Sequence, residues 1–156
     1  MVTAVVPNAD ELIAARRASG NDRFDEVIGG VYFMVPPSSS GHGRRQLRLG
    51  ALLLSRGLIV ASEAGVGFPD DYVIPDLVVY RNDVSADTVF ADPSDVHFVV
   101  EILSDANTGP HWEAKLARLA DWGLPVVIFD DDNISNASDL SAAIVDQFDE
   151  AQGRAD

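Results

Sequence analysis

Two apolar stretches, Val73-Ile74-Pro75-Asp76-Leu77-Val78-Val79 and Phe98-Val99-Val100-Glu101-Ile102-Leu103, decide the reading of this chain, because each carries one acid inside a run of aliphatic residues. Both are rich in β-branched residues and short, so 77–80 and 96–103 read as strands. Alternation along a strand puts Glu101 on the face of Val99 and Leu103, with Val100 and Ile102 packing behind. An unpaired carboxylate is costly to bury, so each acid needs a partner. One answer is structural, an arginine or a helix cap. The other is a cation: two converging carboxylates and a backbone carbonyl, here that of Ile102, make a hard all-oxygen site. Mg²⁺ or Mn²⁺ occupies such a site while keeping waters for a substrate phosphate.

Outward from this pair, the remaining segments suggest mixed α/β architecture. An Asn cap, early acids and Gly20 beyond its end mark a first helix over 8–18. Segments 23–28 and 31–35 flank Gly29-Gly30, a two-residue connection that permits a tight antiparallel hairpin. Leu47, Leu49, Leu52, Leu53 and Leu54 fit a buried helix over 41–56, stopped by Gly57. Strands are expected at 58–61 and 125–129, a helix at 110–122 with Leu116 and Leu119 facing inward, and a loop or helical excursion over 81–94. The strand, helix and strand from 96 to 129 form a parallel crossover unit, right-handed in nearly every known case. A further amphipathic helix fits 138–148. We find no repeat or long linker, so a single domain over 1–156 is the economical reading, with 133–156 as an acidic C-terminal tail.

Composition narrows the function. The 156 residues include 25 acids against 11 Lys plus Arg, for a formal charge of -14, with 47% hydrophobic residues and no cysteine. That apolar share excludes a disordered acidic tail or a fibre. The lack of cysteine excludes disulfide scaffolds, thiolate zinc sites and cysteine nucleophiles. No signal segment or membrane span is recognisable, which points to a cytoplasmic protein, so the sequons at Asn133 and Asn136 read as chance. An acidic surface repels nucleic acid, so DNA contact would need a local basic cluster or a metal ion. Arg44, Arg45 and Arg48 are such a cluster, on the predicted second helix. Three scattered histidines do not make a zinc site, and His97 reads as structural.

Lys115 is the only lysine. Helical spacing puts it on one face with His111, Trp112, Arg118 and Leu119, from which its stem can run along apolar surface toward the sheet.

In order along the chain stand Phe24-Asp25-Glu26-Val27-Ile28-Gly29-Gly30-Val31-Tyr32, Met34 with Pro36-Pro37-Ser38, Pro75-Asp76-Leu77-Val78-Val79, Val99-Val100-Glu101-Ile102-Leu103-Ser104, Glu113-Ala114-Lys115-Leu116-Ala117 and Gly123-Leu124-Pro125. This ordered set resembles the Uma-type family, grouped with restriction endonucleases in the PD-(D/E)xK nuclease superfamily, over roughly residues 10–132. The resemblance implies a mixed central sheet flanked by helices and a divalent-metal phosphodiesterase site. It implies Asp76 and Glu101 as the motif acids, Glu26 as a further acid, and Lys115 as the motif lysine moved to the following helix, since Leu103 stands at its usual place. His42 lies where family members often carry a His; it either contacts phosphate or caps the helix, with the cap favoured. The chain departs from the pattern at His111, where an Asp is frequent, at Leu119, where an aromatic is frequent, and in its C-terminal strands.

The expected activity is Mg²⁺- or Mn²⁺-dependent hydrolysis of DNA. In it, Asp76, Glu101 and the Ile102 carbonyl hold the metal, Lys115 and Glu26 act on water, and His42, Arg44, Arg45 and Arg48 touch phosphates. A homodimer would suit cleavage of both strands. The alternative is a catalytically idle module of the same fold that acts in protein interaction or regulation.

Overall fold

A computed structural model describes residues 9–105 and 107–130. Helix α1, Ala9–Ser19, has Asp10 and Glu11 in its first turn and Arg16 and Arg17 in its last, matching the helix dipole at both ends. It buries no residue, and a side-chain grip fastens it instead: Arg16 Nε and Nη2 each donate to the Asp25 carboxylate at 2.7 Å. Strands β1, Glu26–Ile28, and β2, Val31–Phe33, form the expected hairpin, with Gly29 and Gly30 at φ 59° and 80°. The first strand is shorter than 23–28 because Asp25 is spent elsewhere. Its N–H turns back to the Asp22 carbonyl, and its side chain also accepts from Tyr32 Oη at 2.7 Å and Val35 N–H at 2.8 Å.

Helix α2, Ser40–Ser55, starts at Ser39, whose Oγ accepts the His42 N–H. The helix cap is therefore Ser39, and His42 is not the capping side chain. Of the five leucines assigned to a buried face, Leu49 and Leu53 are in the core, while Leu47 and Leu54 are 77% and 57% exposed. Seven residues apart, they share the outward stripe of the helix.

Next come β3, Ile59–Ser62; β4, Gly65–Phe68; β5, Asp71–Val73; β6, Leu77–Tyr80; β7, Phe90–Ala91; a short 3-10 turn, Pro93–Asp95; β8, Val96–Ile102; α3, Gly109–Asp121; and β9, Val126–Phe129. Three of these strands, β4, β5 and β7, were not expected, and glycine explains the first. A side chain at Gly65 would meet the Phe90 ring at 2.6 Å. At Gly67, with φ 122°, it would meet the Trp122 ring at 2.7 Å. Glycine stands in β4 because its neighbours come so close, although it weakens any strand signal.

The α/β class with mixed sheets and flanking helices stands, but the strands divide between two sheets. One has the order β2-β1-β5-β4-β7, parallel only between β4 and β7; the other has the order β3-β6-β8-β9, parallel only between β8 and β9. The second sheet is covered on both faces. Leu49 and Leu53 pack on Leu77, Val79, Phe98, Val100 and Ile102, while Val78, Val96 and Val99 pack on Val66, Val73, Leu119 and Leu124. Each fully buried aliphatic side chain here contributes about 1.5–3 kcal/mol. Burial on both faces is why β8 reads as a continuous apolar run, and Glu101 falls on the Val99 face, toward α3. The expected helix over 138–148, the tail over 133–156 and both sequons lie outside the described residues. No described helix is long and apolar enough to cross a membrane.

Candidate active site

The β6–β8 ladder pairs Leu77 with Val100 and Val78 with Val99, and one further step of this register sets Asp76 opposite Glu101. Directly opposed residues share a face, so strand pairing alone brings the two acids together. The Asp76 backbone is pinned: its carbonyl accepts from Gln46 Nε2 at 2.7 Å and from the Glu63 N–H at 3.1 Å. Its Oδ2 accepts the Ile102 N–H at 2.7 Å and lies 3.2 Å from His42 Nε2. The other ring nitrogen of His42, Nδ1, is buried and has no hydrogen-bond partner.

Glu26 and Lys115 complete the group from two other elements. Lys115, 6% exposed on α3, directs Nζ to within 3.0 Å of Glu101 Oε1 and 3.3 Å of Glu26 Oε2, and donates to the Ile74 carbonyl at 3.1 Å. Glu26, 1% exposed, also accepts the Ile74 N–H on Oε2 at 2.6 Å, while His111 Nε2 sits 2.6 Å from Oε1. The His111 ring stacks on Phe33 with centroids 4.8 Å apart. His111, which the sequence placed on the Lys115 face and marked as a departure from the family pattern, is thus a direct partner of the buried acid. Its place four residues before Lys115 on one helix face was the available signal.

Three carboxylates share one ammonium here, and their protonation follows from who holds it. Burial favours the neutral form of Glu26, but Lys115, His111 and the Ile74 N–H outweigh it and hold this acid below the usual carboxyl range. Burial likewise opposes the Lys115 charge, and Glu101 and Glu26 overcome it, so its pKa rises. Glu101, although nearest the ammonium, is the acid that burial opposes most. Burial, with Asp76 and Glu26 adding to it against Lys115, pushes it up to about 8. Its Oε1 is buried and, although Lys115 lies at ion-pair distance, makes no hydrogen bond.

All four residues line one cavity of about 540 Å³, together with His42, Ile102, His111 and Trp112. Among the described residues, no group of three or more His, Asp or Glu is arranged to hold a metal ion. What fits a hard divalent cation is the acid pair: a buried Glu101 oxygen without a hydrogen bond, beside the Asp76 carboxylate, in a site short of positive charge.

A family model described as "Uma2: Putative restriction endonuclease" matches residues 11–134. The chain belongs to the Uma2 family. Its matched span holds Glu26, Asp76, Glu101, Lys115 and His111, so the whole cavity floor lies inside the Uma2 region. A solved structure from Anabaena variabilis, titled as a putative nuclease belonging to DUF820, is similar in fold. It has a TM-score of 0.55 at 19% identity, and the match covers 69% of this chain and 66% of that one. No curated protein matches. The Arg triplet expected to touch phosphates is not in the Uma2 cavity wall: Arg44 and Arg48 are exposed on α2 and Arg45 is half-buried, whereas His42 of the same helix faces the cavity.

Proposed function

We propose that this protein is a divalent-metal-dependent endonuclease that hydrolyses DNA phosphodiester bonds. The observation that carries the reading is the convergence of Asp76, Glu101, Glu26 and Lys115 from three strand regions and one helix onto one cavity floor. Asp76 and Glu101 would hold Mg²⁺ or Mn²⁺ with the Ile102 carbonyl, which extended backbone presents to the same edge as the N–H that Asp76 accepts. Such a cation polarises the scissile phosphate and lowers the pKa of a bound water. Lys115 serves as a fixed positive charge and donor toward the charged transition state; the two acids that keep it protonated make it a poor base. Glu26, ionised and gripped by His111 and the Ile74 N–H, sets the position of that ammonium. His42 orients Asp76, and Arg44, Arg45 and Arg48 would meet phosphates beyond the cavity.

The idle-module reading draws support from one feature, the acid excess of the cavity lining, which disfavours a polyanion unless a cation is bound. Incubation with supercoiled plasmid and with oligonucleotides decides between them. We expect cleavage in Mg²⁺ or Mn²⁺ that is lost with chelator and in Asp76→Asn. Intact DNA under every divalent condition would leave only the module.

A further inference from the structure

We propose, resting on the nuclease reading above, that the substrate is a single-stranded stretch of DNA, one base of which lies against an apolar wall beside the acids, with Trp112 as its stacking platform. Two kinds of residue line the cavity. Beside its charged floor, Phe24, the run Met34 to Pro37 and Trp112 supply an apolar stretch of wall, which continues into Ser38 and Ser39. The two prolines have no N–H to offer a phosphate, and the Val35 N–H is already taken by Asp25, so this wall suits the face of a base rather than the backbone. It is also braced, because the same Asp25 is held by Arg16 and Tyr32.

The two tryptophans of the chain differ in a telling way. Trp122 is occupied, with Phe68 edge-on at 6.5 Å and the Arg118 guanidinium 5.8 Å from its ring. Trp112, half-buried three residues before Lys115, has no aromatic or cationic partner among the described residues and faces the cavity. Charge argues for one strand over two. Five carboxylates, Glu26, Glu63, Asp76, Glu101 and Asp105, line the cavity against the single ammonium of Lys115. A cation can bring one phosphate to that floor, but a second backbone entering the cavity would meet acids, with no arginine in the lining to release its counterions. Base stacking on an aromatic ring, which needs no such surface, supplies the missing affinity.

The test uses the full chain carrying Trp122→Phe, in which Trp112 is the only indole, titrated in Mg²⁺ with a twelve-residue oligothymidylate and with a hairpin duplex of equal nucleotide content. We expect saturable quenching of Trp112 by the single strand and at least tenfold weaker quenching by the duplex. In cleavage assays, Trp112→Ala should lower kcat/KM on the single strand by about 5- to 150-fold, the range for losing one stacked base, with its melting temperature retained. Trp112→Phe should stay within about threefold of wild type. Equal quenching by both ligands, no quenching, or a Trp112→Ala enzyme as active as wild type would overturn the proposal. Duplex cleaved as fast as single strand would overturn it while leaving the nuclease reading intact. Quenching by single strand without cleavage of any DNA would do the reverse.

Discussion

Replacing Glu101 by Gln keeps the shape of the side chain and removes its capacity for charge, which separates what this residue does for stability from what it does for chemistry. In the metal-free protein its carboxyl is raised from an ordinary 4.5 to about 8, with burial as the main cause. The folded state therefore binds a proton there that the unfolded state releases between those two values, so stability falls as pH rises through this window and the full penalty is present above it. At about 1.4 kcal/mol per pH unit, the ionised carboxylate costs on the order of 4–5 kcal/mol. Glu101→Gln should match wild type near pH 5 and exceed it by a few kcal/mol near pH 9, measured by urea denaturation in chelator. Added Mg²⁺ should restore wild type at pH 9 by mass action and leave the variant unchanged, while DNA cleavage is lost in the variant at every pH. A stability gap that does not change with pH, or a variant less stable than wild type at pH 9, would refute the assignment of Glu101 as the acid whose burial outweighs its ion pair with Lys115.

Lys115→Met should abolish measurable cleavage and also destabilise the fold by about 3–5 kcal/mol at pH 8, since two buried carboxylates lose their counter-ion. Thermal melting at pH 5 and pH 8 should show the variant recovering on the acid side, where Glu101, raised to about 8 even beside Lys115, is neutral. Asp25→Asn removes a carboxylate that burial works against but that Arg16, Tyr32 and the Val35 N–H hold below its ordinary pKa. That contribution is present above the ordinary carboxyl range and disappears as pH falls through the lowered value. Wild type should thus lose stability on acidification below about pH 4 more steeply than the variant, and an identical acid limb in the two denaturation profiles would contradict it. His111→Ala should lower kcat by about tenfold with little change in KM, and His111→Gln should recover most of it by still donating to Glu26. Failure of the Gln variant to rescue would show that the ring stack on Phe33, not the hydrogen bond, is what matters.

How much of this was legible in sequence depended on whether the signal was local. The acid in an apolar strand at Glu101, its alternation with Val100 and Ile102, and the single lysine of α3 each announce themselves within a few residues, and the structure brings all of them to one cavity. The Gly29-Gly30 hairpin was equally local. What stayed hidden depended on distant neighbours. Gly65 and Gly67 look like loop residues until Phe90 and Trp122 are seen pressing on them. Asp25 reads as part of a strand until Arg16, nine positions earlier, is seen to claim both of its oxygens. His111 was visible as a difference from relatives, but its meaning required Glu26, which lies 85 positions away in the chain.

The Asp25 knot has a practical consequence for anyone redesigning this protein. Because α1 contributes no buried side chain and hangs on by Arg16, it looks dispensable, a natural place to trim or to graft a fusion partner. Yet the carboxylate it grips also anchors the backbone at Val35, which lines the cavity. Shortening the N-terminal end past Arg16 would slacken the Val35 segment through Asp25 alone, and a change seen at the cavity would be misread as damage to Asp76, Glu101 or Lys115 themselves.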